Sequence, residues 1–301
     1  MKQLSLTGIL FVAVLNCFSQ SAPKSAIIEI PDLLYVNEAE AENDSLQRLN
    51  LVIPEGVENF PLLIWIGGGA WSYVDRNVEM DLARKFAAAG IGVAAVGHRL
   101  SPAIWRDSSL TTGIQHPKHI EDIAAAVKWL YDNAPKYQYD RTKIFIGGFS
   151  SGAQLAALLS FDNRYLEKVG LSTDLIKGII PISGTYDIVN YYEVMKNSDR
   201  PEMADLHVKA VFGENNSDFI DASPITYLDS LSIPMLVMVD RYLINYTKIF
   251  EEKLMETSFG DFQVLYIHNL THGELWRNIS RKENSIYRDM IIEFITSHTQ
   301  S

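Results

Sequence analysis

Residues 146–154 read IGGFSSGAQ. Gly148 and Gly152 stand two positions either side of Ser150, the spacing G-x-S-x-G. Five letters with two of them free carry little meaning alone, and the same letters fit a small-residue turn. They gain meaning when an apolar strand leads in and a helix leads out, because a serine on that sharp bend is lifted clear of the sheet. The sequence supplies both. Lys143–Ile146 predicts a strand, and Ala153–Leu159 is rich in Ala and Leu with no helix breaker.

Working outward, apolar runs alternate with helical periods. Leu62–Ile66 predicts a strand that ends on Gly67-Gly68-Gly69. Met80–Ala89 predicts a helix stopped by Gly90, and Ile91–Val96 the next strand. From His119 to Asn133 the set Ile120, Ile123, Ala124, Val127, Leu130 and Tyr131 follows one helix face. Beyond the serine, strands are predicted at Gly178–Ile182, Pro234–Val239 and Phe262–Ile267, and helices at Thr247–Glu256 and Ser285–Thr296. This alternation predicts an α/β fold with a mostly parallel central sheet and helices on both faces. Residues 185–226 lack a strong period and contain Tyr191, Tyr192 and Phe219. They read either as a lid or substrate-facing insertion or as ordinary packing. With no repeat, low-complexity tract or linker, residues 22–301 read as a single domain.

The chain has 301 residues, 47% hydrophobic and 21% charged, enough for a sizeable core. Its net charge of −11 argues against nucleic acid or an anionic membrane as partner, since both attract basic surfaces. Lys2, the apolar run Leu4–Leu15 and the small and polar NCFSQSAP (16–23) have the layout of a signal peptide over residues 1–21. Secretion or a periplasmic address follows as the expectation. The run is too short to anchor the chain across a bilayer. Cys17, the one cysteine, lies inside it. The mature chain then holds none, which suits an oxidising compartment without disulfides. Lipidation of Cys17, as in a bacterial lipoprotein, is the weaker reading, because Val14-Leu15-Asn16 stand where small residues are usual.

A serine hydroxyl is a weak nucleophile at neutral pH and needs a base, which in turn needs an orienting acid. On a strained bend a side chain at Gly148 or Gly152 would clash. Ser151 then begins the helix, where its amide can donate to a developing oxyanion. The second stretch is WIGGGAW (65–71). Glycines after a strand leave backbone N–H groups facing a small space, and one such donor is worth about 2.7–4 kcal/mol of barrier where tested. Phosphate binding is disfavoured, since neither G-K-[ST] nor G-x-G-x-x-G is present. A plain flexible loop stays open.

These stretches, with GHRLSP (97–102), HPKHIEDIAAAVKWL (116–130), GTYDI (184–188) and ASPITYL (222–228), resemble the α/β-hydrolase superfamily in its carboxylesterase/lipase and kynurenine-formamidase-like branch. The resemblance runs from about QRLNLVIPEG (47–56) to the C-terminal helix. It implies the α/β-hydrolase fold and Ser150 as nucleophile. The family's H-G-G-G-W motif falls on Gly67-Gly68-Gly69-Ala70-Trp71, making Gly68 and Gly69, with Ser151, the oxyanion donors. Gly67 replaces the motif's histidine and Ala70 its third glycine. The base is expected on the loop after the last strand, in YIHNLTHGELW (266–276), where His272 matches the family position better than His268. The acid is expected on the loop after the strand ending near Val239. There Asp240 is the acidic residue, although the family's glycine is missing and the loop is about three residues short. Asp187 is the fallback, and a dyad without an acid the third possibility.

The resemblance implies a serine hydrolase acting on small carboxylic esters through an acyl-enzyme. Export suggests acylated carbohydrates as substrates. No cofactor or metal is expected, and His116 and His119 lack a metal-ligand pattern. Two alternatives stay open: an arylformamidase or amidase using the same groups, and a catalytically impaired binding protein that keeps the fold.

Overall fold

The computed structural model describes residues 26–37 and 45–299. The expected signal peptide and Cys17 lie outside the described residues. One eight-stranded sheet runs through the molecule in the order β1-β2-β4-β3-β5-β6-β7-β8. Its strands are β1 (Ile27–Leu34), β2 (Arg48–Pro54), β3 (Phe60–Ile66), β4 (Gly92–Val96), β5 (Tyr139–Phe149), β6 (Ile176–Ile182), β7 (Met235–Asp240) and β8 (Phe262–Ile267). β1, β2 and β4 pair antiparallel, and every other neighbour pair is parallel. Sequence patterning finds the parallel strands because they are apolar runs, buried throughout in β4 and β7 and only partly in the edge strand β8. It passes over β1, an edge strand with half its positions exposed.

Helices cover both faces. Alternation along β3 sends Leu62, Ile64 and Ile66 to one side and Leu63 and Trp65 to the other. The first side packs under α2 (Lys118–Tyr137) and α3 (Ser151–Phe161), with Ile123, Val127 and Leu158 fully buried. The second packs under α1 (Met80–Ala87), whose Leu82 and Phe86 are fully buried. Helix α4 (Asn163–Lys168) follows α3 directly.

Residues 185–226 form α5 (Ile188–Lys196), a π-helical turn Ala204–Lys209, α6 (Ala210–Phe212), α7 (Asn216–Asp221) and the start of a 3₁₀ segment, Pro224–Ser230. This excursion is tied to the body at several points. His116 N–H donates to the Val211 carbonyl at 2.7 Å, and Gln154 Nε2 to the Ala222 carbonyl at 2.8 Å. Arg164 bridges Asp162 and Asp221. The chain then completes the sheet with β7, α8 (Ile244–Met255), β8, α9 (His272–Ser280) and α10 (Ile286–Ser297). Among the described residues no helix is long and apolar enough to cross a membrane.

Because β3, β5, β6, β7 and β8 run the same way, their C-terminal ends share one edge of the sheet, where α/β folds build their sites. The register aligns Ile66 with Gly148, Phe149 with Ile182, and Asp240 with Ile267.

Candidate active site

Ser150 follows β5 and caps α3 at φ 56°, ψ −117°, a conformation L-residues avoid. Its N–H donates to the Ile182 carbonyl at 2.8 Å, pinning the bend to β6. The flanking glycines are steric requirements. A Cβ on Gly152 would lie 2.0 Å from the Ile66 carbonyl oxygen, and one on Gly148 2.4 Å from Gly152. Strand β3 and the bend therefore touch backbone to backbone, which brings the glycine loop after β3 against Ser150. A Cβ on Gly68 would lie 3.2 Å from that of Ser150.

The glycine loop turns tightly. Ser72 and Tyr73 N–H both donate to the Gly69 carbonyl at 2.9 Å, and Gly69, Ala70 and Trp71 all have positive φ. Ala70 thus occupies a left-handed conformation at a cost of about 1–2 kcal/mol. Trp71 is fastened by its indole N–H to Gln154 Oε1 at 2.9 Å. Among the described residues the Gly68 and Gly69 amides have no acceptor, and Ser151, first in α3, contributes one of the orphan amides of a helix N-terminus. A helix start also favours negative charge.

Asp240 and His272 arrive from neighbouring strand ends. Asp240 is fully buried, and its Oδ2 lies 2.7 Å from His272 Nδ1. Its Oδ1 accepts the Tyr242 N–H at 2.8 Å, and its own N–H donates to Ser183 Oγ at 3.0 Å. Burial alone would push this carboxyl up. The bonds to His272, Ser183 and the Tyr242 amide outweigh burial and hold it below its ordinary value, so it is a carboxylate at neutral pH. His272 is the first residue of α9, set by a capping box between Thr271 and Glu274. Its ring packs on Phe149 with centroids 4.5 Å apart.

The sequence expectation for Asp240 needs one correction. It sits on no loop: it is the last residue of β7, which runs one residue further than the apolar pattern showed. The connection 241–243 closes in three residues because the carboxylate itself caps the turn through the Tyr242 amide.

His268, just after β8, is exposed and stacks on Tyr266 at 6.4 Å. Asp187 caps α5, accepting the Asn190 N–H at 2.9 Å. Neither lines a cavity with Ser150. Ser150 Oγ has no hydrogen bond of its own among the described residues. Two cavities of about 230 Å³ each share Ser150 and His272 as walls. One is also lined by Trp71, Thr185, Tyr191, Met195 and Tyr246; the other by Gly68, Gly69, Tyr73, Glu79 and Trp276. Ser183, with φ 53° and a hydroxyl bonded to the Asp240 amide, was not signalled by the sequence, since a serine after a strand has no distinguishing pattern.

Comparison with known proteins gives the same frame. The family model BD-FAE matches residues 49–241. The probable carboxylic ester hydrolase LipM of Mycobacterium tuberculosis is 27% identical over 60% of this chain, which spans 41% of that protein's length. Among solved structures, an inhibited esterase B from Lactobacillus rhamnosis superposes with TM-score 0.76 at 17% identity, covering 94% of this chain and 91% of that one. A truncated carbohydrate esterase from gut microbiota superposes with TM-score 0.69 at 18% identity, covering 93% and 99%.

Proposed function

The chain belongs to the BD-FAE family of α/β hydrolases, and from that premise we propose that it hydrolyses carboxylic esters with Ser150 as nucleophile. The observation carrying this reading is the buried Asp240 carboxylate, 2.7 Å from His272 Nδ1, on a histidine that shares both cavity walls with Ser150. Asp240 accepts the Nδ1–H and so leaves Nε2 free of a proton, as a base requires. The Ser150 hydroxyl gives its proton to Nε2 as Oγ bonds to the acyl carbon. The carbonyl oxygen becomes an oxyanion and takes N–H bonds from Gly68, Gly69 and Ser151. The imidazolium passes the proton to the departing alkoxide, leaving an acyl-enzyme. Water, deprotonated by His272, then releases the acid and restores Ser150. The hydrogen bond from Ser150 Oγ to His272 forms when substrate is bound, as is common for catalytic hydrogen bonds.

Acylated carbohydrates are the substrates favoured within this class. The second cavity offers Tyr73 and Trp276 as aromatic surfaces, which suit the C–H faces of a sugar ring. The named carbohydrate esterase of similar fold agrees with that choice. Secretion or a periplasmic address is part of the same reading, and N-terminal sequencing of the expressed protein tests it at residues 21–22.

Turnover of p-nitrophenyl acetate, acetylated xylan and N-formylkynurenine by wild type, Ser150→Ala and His272→Ala tests the whole. Ester cleavage by wild type and its loss in both variants is expected. Formamide cleavage alone would favour the amidase alternative, and no turnover at all a binding protein.

A further inference from the structure

Glu79 is the last residue of the 3₁₀ turn Arg76–Glu79 and is 3% exposed. Its side chain makes no helix-capping bond to α1, and among the described residues no cation lies in salt-bridge contact with it. A buried carboxyl is costly without partners. Here the partners are two indoles on one oxygen: Oε2 accepts Trp65 Nε1 at 2.8 Å and Trp276 Nε1 at 3.2 Å. Burial raises this carboxyl's pKa, opposed by those two bonds.

The positions of these partners matter more than their number. Trp65 lies in β3 two residues before Gly67, where the glycine loop begins. Trp276 lies four residues after His272 on α9, so both project from one helix face. The rest of the Glu79 side chain lies over the loop itself. A Cβ on Gly67 would be 2.8 Å from Oε1 and 3.2 Å from Cδ and Cγ, so Gly67 is a glycine because Glu79 fills its side-chain space. The residue also lines the cavity shared by Gly68, Gly69, Ser150 and His272.

We propose that Glu79 is a positioning residue of the hydrolytic site, a clamp that sets the glycine loop and the His272-bearing helix at a fixed separation. The inference rests on the ester-hydrolase reading above. A leucine would fill the same volume without a buried carboxyl, so volume alone does not account for the residue. Oxyanion donors act only when aimed at the place where charge develops. A misplacement of about 1 Å can cost roughly 100-fold.

Three variants separate the possibilities: Glu79→Gln, whose amide oxygen still accepts an indole; Glu79→Leu, which keeps volume without an acceptor; and Glu79→Ala. Turnover is counted per site titrated with a fluorophosphonate, alongside KM, thermal unfolding and the near-UV circular dichroism of the tryptophans. The clamp predicts kcat down roughly 10- to 100-fold in the Leu and Ala variants with KM within about twofold, from the same misplacement scale. Glu79→Gln should keep most of the turnover. The indole bands should change in the Leu and Ala variants and stay near wild type in Glu79→Gln. A lower unfolding temperature with unchanged turnover per titrated site would overturn the proposal, leaving Glu79 a packing residue only. Wild type that neither labels nor turns over would defeat the hydrolase reading itself; the dichroism then still decides whether the clamp exists, and identical spectra in all four proteins would reject it.

Discussion

At the scale of single residues, the proposed site turns on three side chains carried at or just beyond three strand ends and on the backbone amides between them. Asp240→Asn keeps the shape but replaces the acceptor facing Nδ1, which permits the wrong histidine tautomer. In a serine protease the same change costs about 10⁴ in turnover, and a loss of that order in p-nitrophenyl acetate hydrolysis is expected here. His268→Ala should leave kcat within about twofold, since solvent-exposed positions away from the machinery change little. Near-full activity in Asp240→Asn, or loss in His268→Ala, would reassign the acid or the base. Ser150 was legible because its glycines carry a steric message that the structure repeats: a Cβ at Gly152 collides with the Ile66 carbonyl. Glu79 and Ser183 were illegible because their contacts are made with partners far away in sequence. Trp276, for instance, is 197 residues from Glu79.

At the scale of elements, the parallel strands could be read from their apolar runs, α2 from its helical period, α3 from its Ala and Leu content without a breaker, and α1, α8 and α10 as the helical segments alternating with the strands, because burial writes itself into composition and spacing. Boundaries were less legible. β7 gained Asp240, since a charged residue ends an apolar pattern even when it is fully buried. The excursion at 185–226 had no period because it is built from short helices and a π-helical turn held by side-chain ties. Its α5 supplies Tyr191 and Met195 to one cavity wall, and Tyr191 meets Tyr246 of α8 edge-on with centroids 5.8 Å apart. Truncating that contact should enlarge the cavity. Tyr246→Ala is expected to raise kcat/KM for p-nitrophenyl hexanoate relative to acetate by roughly tenfold, within the range by which an apolar pocket discriminates chain length. An unchanged ratio would mean that this cavity does not receive the acyl chain.

At the scale of the whole molecule, one sheet edge collects the loops after β3, β5, β7 and β8, and stability and function meet there in two carboxyls with opposite linkage. Glu79 is raised in the fold above its ordinary 4.5, chiefly by burial, with Asp75 adding to the rise and the Trp65 and Trp276 bonds and Arg281 opposing it. Its contribution to stability is present below that value and is lost as pH rises through the folded one. Asp240 is lowered below its ordinary 3.8, so its contribution is present above that value and lost as pH falls through the folded one. Urea unfolding across pH should therefore show Glu79→Gln removing part of the decline on the side above 4.5, and Asp240→Asn removing part of the loss at the acid end. Slopes unaltered by either substitution would contradict these assignments. The proposed reactivity rests on a single oxygen atom, Ser150 Oγ. Peptide mapping by mass spectrometry after reaction with a fluorophosphonate tests it most directly. One phosphonyl group on the peptide containing Ser150 is predicted, with none in Ser150→Ala and slow labelling in His272→Ala. A modification on another residue, or labelling that persists in Ser150→Ala, would rule out Ser150 as the nucleophile.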